Sequence, residues 1–320
     1  MNHEYITLTI PMDAVAGQRL DKYLAKQMPE FSRAFFQRGI ASGHVLVGGA
    51  SVEQSYLIHP GEVITVDMTP SVIRQLEPEE IPLEILYEDE DLLVINKQPG
   101  LVVHPANGNW NGTLVNALLK HCDSEDFEEM VDDEMRPGIV HRLDKDTSGA
   151  LIIAKNQEIR ECFKEAFMNH EVRKVYVALI LGQMRAANGK IELPIGRHPY
   201  NFQKMAVVME RGREACTQYR TIAVSNGISL VKILLHTGRT HQIRVHFSHF
   251  GHPVLGDALY GGRPQHSPYA APRQMLHAYE IAFVHPRTGK KLNFKAPLPN
   301  DFLDALRGLK LPLPTGATES

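Results

Sequence analysis

The chain has 320 residues and a mass of 35.9 kDa, with 43% apolar residues and a formal charge of −3 at pH 7. That length suits a large domain with a smaller one, and the apolar fraction is enough to bury a sizeable core, so disorder is excluded as the default. Three well-separated cysteines, Cys122, Cys162 and Cys216, argue against a disulfide framework and a thiolate zinc site. No run approaches the ~18 apolar residues that cross a bilayer. The N-terminus MNHEYITLTIPMD lacks the basic and apolar regions of a signal peptide, so a reduced, cytoplasmic protein without membrane attachment is expected. The net charge is not that of a typical phosphate binder, yet eight acidic residues fall between Asp123 and Glu134 and leave the remainder mildly basic.

Between Arg19 and Met28, Leu20, Tyr23, Leu24 and Met28 recur at helical spacing with Lys22 and Lys26 on the other side, predicting a short amphipathic helix. Ser32 is placed to cap a second helix with Phe35, Phe36 and Ile40 inward and Arg33 and Arg38 outward, stopped between Gly39 and Gly43. HVLV, Gly48-Gly49 and the stretch after them predict a hairpin whose turn needs positive φ. Two basic helices and a hairpin resemble the S4 domain, an RNA-binding module of a small-subunit ribosomal protein, over residues 15–68, with V-G-G where that module usually has V-N-G. The resemblance implies that Lys22, Lys26, Arg33 and Arg38 contact RNA through its backbone.

Residues 69–82, rich in Pro and Glu, predict a linker to a catalytic-sized domain over 83–310. Within it, Leu83 to Tyr87 and Leu92 to Asn96 predict a hairpin around EDED, and Gly112 to Leu119 a short helix. The acidic stretch after His121 reads as a solvated loop or helix. Ala150 to Ala154 predicts an interior strand, Ile159 to His170 a helix, and VRKVYVALILG a strongly apolar strand. Ala215 to Ala223, Ser229 to His236 and THQIRVHF read as further strands, and YEIAFV with KLNFKA as a hairpin closed by HPRTG. Residues 311–320 read as a disordered tail. Strands outnumber helices and hairpins dominate, so the expected fold is α+β: a large, mixed, mostly antiparallel sheet with flanking helices, preceded by a small α+β RNA-binding domain over 1–68.

Four segments carry chemistry. GIVHRLDKDTSGALIIAK sets a lone carboxylate, Asp144, among His141, Arg142 and Lys145, directly before a turn and the interior strand. HRLDKD by itself fits a solvated charge run as well as a site. NKQPGLVVHP forces a rigid turn around a positive charge, and RKVYVAL puts Tyr176 in an apolar strand. GRTHQIRVHFSHFGHPVLGDALYGG holds His241, His246, His249 and His252. On a strand His241 and His246 would face opposite sides and no cysteine completes a set, so no metal site is expected. Gln242, Arg244 and His246 would share a face, aiming Arg244 into a cleft while Ile243 and Val245 pack inward.

GIVHRLDKDTSG, NK-x-PGLVVHP, GRTHQIRVH and GDxxYGG together resemble the RluA family of RNA pseudouridine synthases, from about Ile81 to Pro299. The S4-like module fits the subgroup that acts on large-subunit ribosomal RNA. Departures are small: Gln98 stands where proline is frequent, and Ser148-Gly149-Ala150 replaces T-G-L. The resemblance implies isomerisation of uridine to pseudouridine without metal, redox group or cofactor, with Asp144 acting as nucleophile at the sugar or as a base that starts elimination. It further implies that Arg244 pairs with Asp144, that Tyr176 stacks on the target base and is a candidate proton acceptor, and that Arg142 fills the space left by a flipped nucleotide. His141 and Lys145 are expected to steady the loop or meet phosphate. The expected partner is 23S ribosomal RNA or the large subunit, at the loop uridines of helix 69, with the enzyme a monomer. Other ribosomal or transfer-RNA uridines, or a noncatalytic RNA-holding role in ribosome assembly, are the alternatives.

Overall fold

The computed structural model describes residues 5–13, 16–29, 31, 33–68, 77–104, 111–122, 127, 136–262 and 269–314, the side chains of Ala34 and Arg38 apart. The chain divides into two compact units, residues 1–78 with 128–137, and residues 79–127 with 138–320.

The smaller unit runs β1 (Tyr5–Thr9), α1 (Leu20–Gln27), α2 (Arg33–Ala41), β2 (Val45–Val47), β3 (Ala50–Ser51) and β4 (Val63–Asp67). Its sheet is antiparallel in the order β1-β4-β2-β3. The apolar stripes expected of the helices are the ones buried: Leu20, Tyr23 and Leu24 of α1 and Phe36 and Ile40 of α2 pack with Val45, Ile64 and Val66. Gly48 and Gly49 turn β2 into β3 at φ 57° and 82°, values that favour glycine. Asp21, fully buried, accepts from Arg19, Gln37 and Arg33. Burial alone would raise its pKa, but those donors hold it well below the usual carboxylate range. Arg33, read as a purely outward RNA contact, is therefore partly engaged in holding α2 to α1. The Ser32 cap and the Arg38 side chain lie outside the described residues.

The larger unit contains β5 (Ile85–Glu88), β6 (Leu92–Lys97), α3 (Leu114–His121), β7 (Ser148–Ala154), α4 (Gln157–Met168), β8 (Arg173–Leu181), β9 (Asn188–Glu192), β10 (Ile195–Arg197), β11 (Met205–Val207), β12 (Cys216–Ser225), β13 (Ile228–Leu235), α5 (Gln242–His249), β14 (Leu276–Val284), β15 (Lys291–Lys295) and α6 (Asn300–Gly308). Nine strands form one sheet in the order β5-β6-β7-β14-β8-β13-β12-β9, with β15 paired to β14. Only β7 and β14 pair in parallel; the other ladders are antiparallel. The mixed, mostly antiparallel sheet with flanking helices is thus what the chain forms, and β10 with β11 makes a separate hairpin.

Register decides which face carries the site. Tyr176 of β8 lies opposite Ile233 of β13, which lies opposite Tyr219 of β12, so the three side chains share a face. Phe247 of α5 packs edge-on against Tyr219, which puts α5 on that face. Val177 and Leu179 point the other way, into a cluster with Phe302, Ala305 and Leu306 of α6.

THQIRVHF is not a strand: Gln242–His249 is a helix. Its six residues from Gln242 to Phe247 are all buried, the polar ones through specific hydrogen bonds, so no amphipathic stripe marks the helical period and the alternation of Ile243, Val245 and Phe247 mimics a strand. The parity argument about His241 and His246 falls with it. Residues Leu311 to Pro314 do not belong to a disordered tail, since Leu311 is buried in the cluster around α6 and its amide donates to Leu306. Glu79, expected in the linker, is bound into the larger unit: its amide donates to Asn116 and its carboxylate accepts from the Gly112 amide. Most of the acidic stretch from Asp123 to Glu134, residues 69–76 and residues 315–320 lie outside the described residues.

Candidate active site

Asp144 sits at the end of an irregular loop that feeds β7. Its carbonyl accepts from the Thr147 amide at 3.0 Å, closing a turn directly before the strand. All seven residues of β7 are buried, which anchors that end of the loop. Gly149, at φ 116°, crosses β14 so closely that a Cβ there would lie 2.2 Å from the Ala278 carbonyl oxygen. The segment between Asp144 and β7 is held by Lys97 at the tip of β6. Its buried Nζ donates to the carbonyls of Gln98, Leu101 and Lys145, each at 2.9 Å, and the Gly100 amide donates to Lys145 as well. The rigid NKQPG turn therefore grips the peptide next to Asp144. Burial pushes the Lys97 ammonium down to about 7.

Arg244 supplies the electrostatics. From α5 its Nε and Nη2 donate to Asp257 at 2.6 and 3.0 Å, and its Nη1 donates to Asp144 at 2.8 Å. Asp257 is fully buried and also accepts from the amides of Leu259 and Tyr260, so the motif GDALYGG folds into a carboxylate clamp. The guanidinium carbon lies 5.1 Å from the centre of the Tyr260 ring. Burial opposes the Arg244 charge, but the two carboxylates more than offset this and raise its pKa. Asp144 keeps 18% of its side chain exposed, whereas Asp257 keeps none. One carboxylate orients the arginine and the other stays partly exposed.

Two rings complete the surroundings. Tyr176 is 7% exposed, and burial together with the charge of Asp144 raises its phenol pKa. His241 precedes α5 in a left-handed conformation, φ 56°, with Nε2 3.9 Å from Asp144 and Nδ1 2.8 Å from the Tyr260 hydroxyl. That hydroxyl also accepts from the Met205 amide, tying the β10–β11 hairpin to the site. Burial lowers the His241 pKa, so the ring is a neutral neighbour of Asp144.

The residues singled out by sequence separate cleanly. Asp144, Tyr176 and Arg244 come together. His141 packs on Phe167 with ring centres 4.7 Å apart and its Nε2 accepts from the Ile152 amide, which steadies the loop against β7 and leaves that nitrogen unavailable to a ligand. Burial, then the nearby Lys174 charge, hold it neutral down to about 3. The side chains of Arg142 and Lys145 are exposed on the same loop. Lys22 and Lys26 are exposed on α1 of the smaller unit. His246 is bound between Thr217 and the Leu193 carbonyl. The four clustered histidines form no metal-ligand group among the described residues; Asp89, Asp91 and His285 do lie close together, but Arg287 spans Asp91 and His285 is bonded to Asp89. Asp257, Tyr260, His241 and Lys97 were missed as site residues, although GDxxYGG and NKQPG had marked the segments.

Known proteins are similar to this chain. A family model described as "RNA pseudouridylate synthase" matches residues 91–249, and one described as "S4 domain" matches residues 18–64. The "Ribosomal large subunit pseudouridine synthase D" of Nitrosomonas europaea is 41% identical over 316 residues, covering 97% of this chain and 89% of its own. An "Uncharacterized RNA pseudouridine synthase" of Chlorobaculum parvum is 44% identical over 299 residues, covering 88% and 91%. Among solved structures, "Human RNA Pseudouridylate Synthase Domain Containing 4" matches with a TM-score of 0.57 and 26% identity over 72% of this chain and 95% of its own. Similarity of this extent, over a carboxylate loop, a sheet and an N-terminal module of the expected kinds, makes the chain a member of the RluA family of RNA pseudouridine synthases, isomerases that carry an S4 domain in this case.

Proposed function

We propose that this enzyme isomerises loop uridines of helix 69 in 23S ribosomal RNA, as an RluD-type synthase, with Asp144 as its essential carboxylate. The observation that carries the catalytic part is the division of labour at Arg244: Asp257 fixes the guanidinium bidentately, and Asp144 receives a single nitrogen from it and stays partly exposed. A carboxylate held this way keeps one oxygen for chemistry. The reaction breaks the bond from C1′ to the base nitrogen and forms one from C1′ to C5, with the C5 proton passing to N1 in net terms. Atoms and charge balance without a redox partner. Asp144 attacks C1′ or removes a ribose proton, and Tyr176, on the floor of the same face, stacks on the uracil while it turns. Arg142, exposed two positions before Asp144, enters the RNA where the flipped nucleotide left. Lys22, Lys26, Arg33 and Arg38 hold the RNA backbone.

The ribosomal substrate is supported by the name and near-full coverage of the Nitrosomonas europaea relative. Asp144→Asn keeps the size and hydrogen-bonding shape of the side chain, so it is expected to abolish pseudouridine formation while RNA affinity stays within about threefold, the range of one weakened polar contact. Retained activity in that variant would refute the assignment. Mapping pseudouridines in ribosomal RNA from cells with and without the protein tests the target: loss confined to helix 69 is expected, and loss elsewhere redirects the reading to another ribosomal or transfer-RNA site.

A further inference from the structure

Several buried cations in the larger unit are matched to acceptors. Arg244 has two carboxylates, Arg273 is bidentate on Asp301, Arg173 is paired with Glu280, and Lys97 has three carbonyls. Lys174 differs from these. It is 7% exposed and makes neither a hydrogen bond nor an ion pair among the described residues; its Nζ lies 5.2 Å from the centre of the Phe167 ring. The side chain is largely buried but its Nζ is not sealed off, so its three donors are open to an incoming acceptor.

Its position makes the difference informative. Lys174 is two residues before Tyr176 on β8, so it shares the face that carries the site, at a spacing of about 7 Å along the strand. Phe167 of α4 walls it on one side. His141, beside it, cannot act as its acceptor because its Nε2 is taken by the Ile152 amide. Further positive charge lies in the neighbourhood: burial and then Lys190, His170 and Lys174 lower the His236 pKa, with Glu192 opposing. Burial pushes Lys174 itself down to about 8, with no carboxylate drawing it back. A positive, partly desolvated donor on the floor beside the site is suited to an anion.

We propose that Lys174 binds a phosphate of the RNA strand that delivers the target uridine, anchoring the backbone one step from the base held at Tyr176. The inference rests on the proposed function only in taking RNA as the ligand. Binding compensates the ammonium and sets how deeply the strand enters the cleft.

The test uses the full chain and a fluorescent RNA hairpin containing the target loop, with affinity measured over a series of salt concentrations. Lys174→Gln is expected to weaken binding several-fold at low salt. It should also make the slope of log affinity against log salt shallower by about 0.7 to 0.9, the signature of one lost phosphate contact. Lys174→Arg should restore the slope. Should Lys174→Gln fold poorly, Lys174→Met, which keeps the apolar stem over Phe167, gives the same reading. An unchanged slope in folded neutral variants overturns the proposal, whether activity falls through a contact to the uracil or stays intact. Activity of Asp144→Asn would overturn the catalytic assignment while leaving the salt slope to decide Lys174.

Discussion

Arg244 donates to Asp257 with two nitrogens and to Asp144 with a third, and only a guanidinium can span both. Arg244→Lys keeps the charge and loses the fork. The loss of one charge-assisted hydrogen bond to Asp144 corresponds to about 1.5–3 kcal/mol, so kcat is expected to fall by about 10- to 100-fold in single-turnover assays at saturating RNA. A smaller change would mean that the Asp144 contact matters little to the reaction. The pairing of Asp144 with Arg244 was legible in the sequence through family resemblance. The role of Asp257 was not, because a buried carboxylate whose task is to orient an arginine leaves no periodic trace, and GDALYGG reads equally well as a turn.

The elements around the site differ in how well local pattern describes them. β7 and β8 are continuous apolar runs, buried on both faces, and such runs read as interior strands without further information. α5 is the opposite case. Its polar residues are buried, Gln242 and His246 turning to Thr217 one helical turn apart while Arg244, roughly opposite, turns to the carboxylates. Only the tertiary partners make that helix intelligible. Where β7 meets β14, His277 is fully buried, bonded to Ser148 and to the Ala296 carbonyl, and burial lowers its pKa to about 4. His141 is held near 3 for the same reason. Both rings fold neutral, so the unfolded chain binds more protons below the ordinary histidine value of 6.5, and the stability they contribute is complete above it and lost as pH falls toward 4. Each such group steepens the loss by up to about 1.4 kcal/mol per pH unit across that window. Urea denaturation at pH 7 and pH 5 should show the drop, and His277→Gln should make it shallower; an unaltered pH dependence in that variant would contradict the buried neutral ring.

At the scale of the whole molecule the chain has two units with separate cores, and the proposed function assigns RNA holding to the smaller and the chemistry to the larger. Removing residues 1–68 should therefore weaken affinity for large-subunit RNA by tenfold or more while kcat on a short hairpin changes by less than about threefold, as expected for a backbone-holding module. Equal affinity in filter binding would remove the smaller unit from substrate recognition. The sequence by itself determined the class of fold, the two-part organisation and the family, because apolar periodicity, turn glycines and short charged motifs are local and survive without coordinates. It also carried Asp144, Tyr176 and Arg244, as motif positions. What only the tertiary structure decided is how those residues are held: Lys97 gripping the carbonyl of Lys145, Asp257 steering Arg244, His141 serving the loop, α5 being a helix and Lys174 standing without an acceptor among the described residues. Each depends on partners dozens of residues away or on the burial of a polar group, and neither is encoded in spacing along the chain.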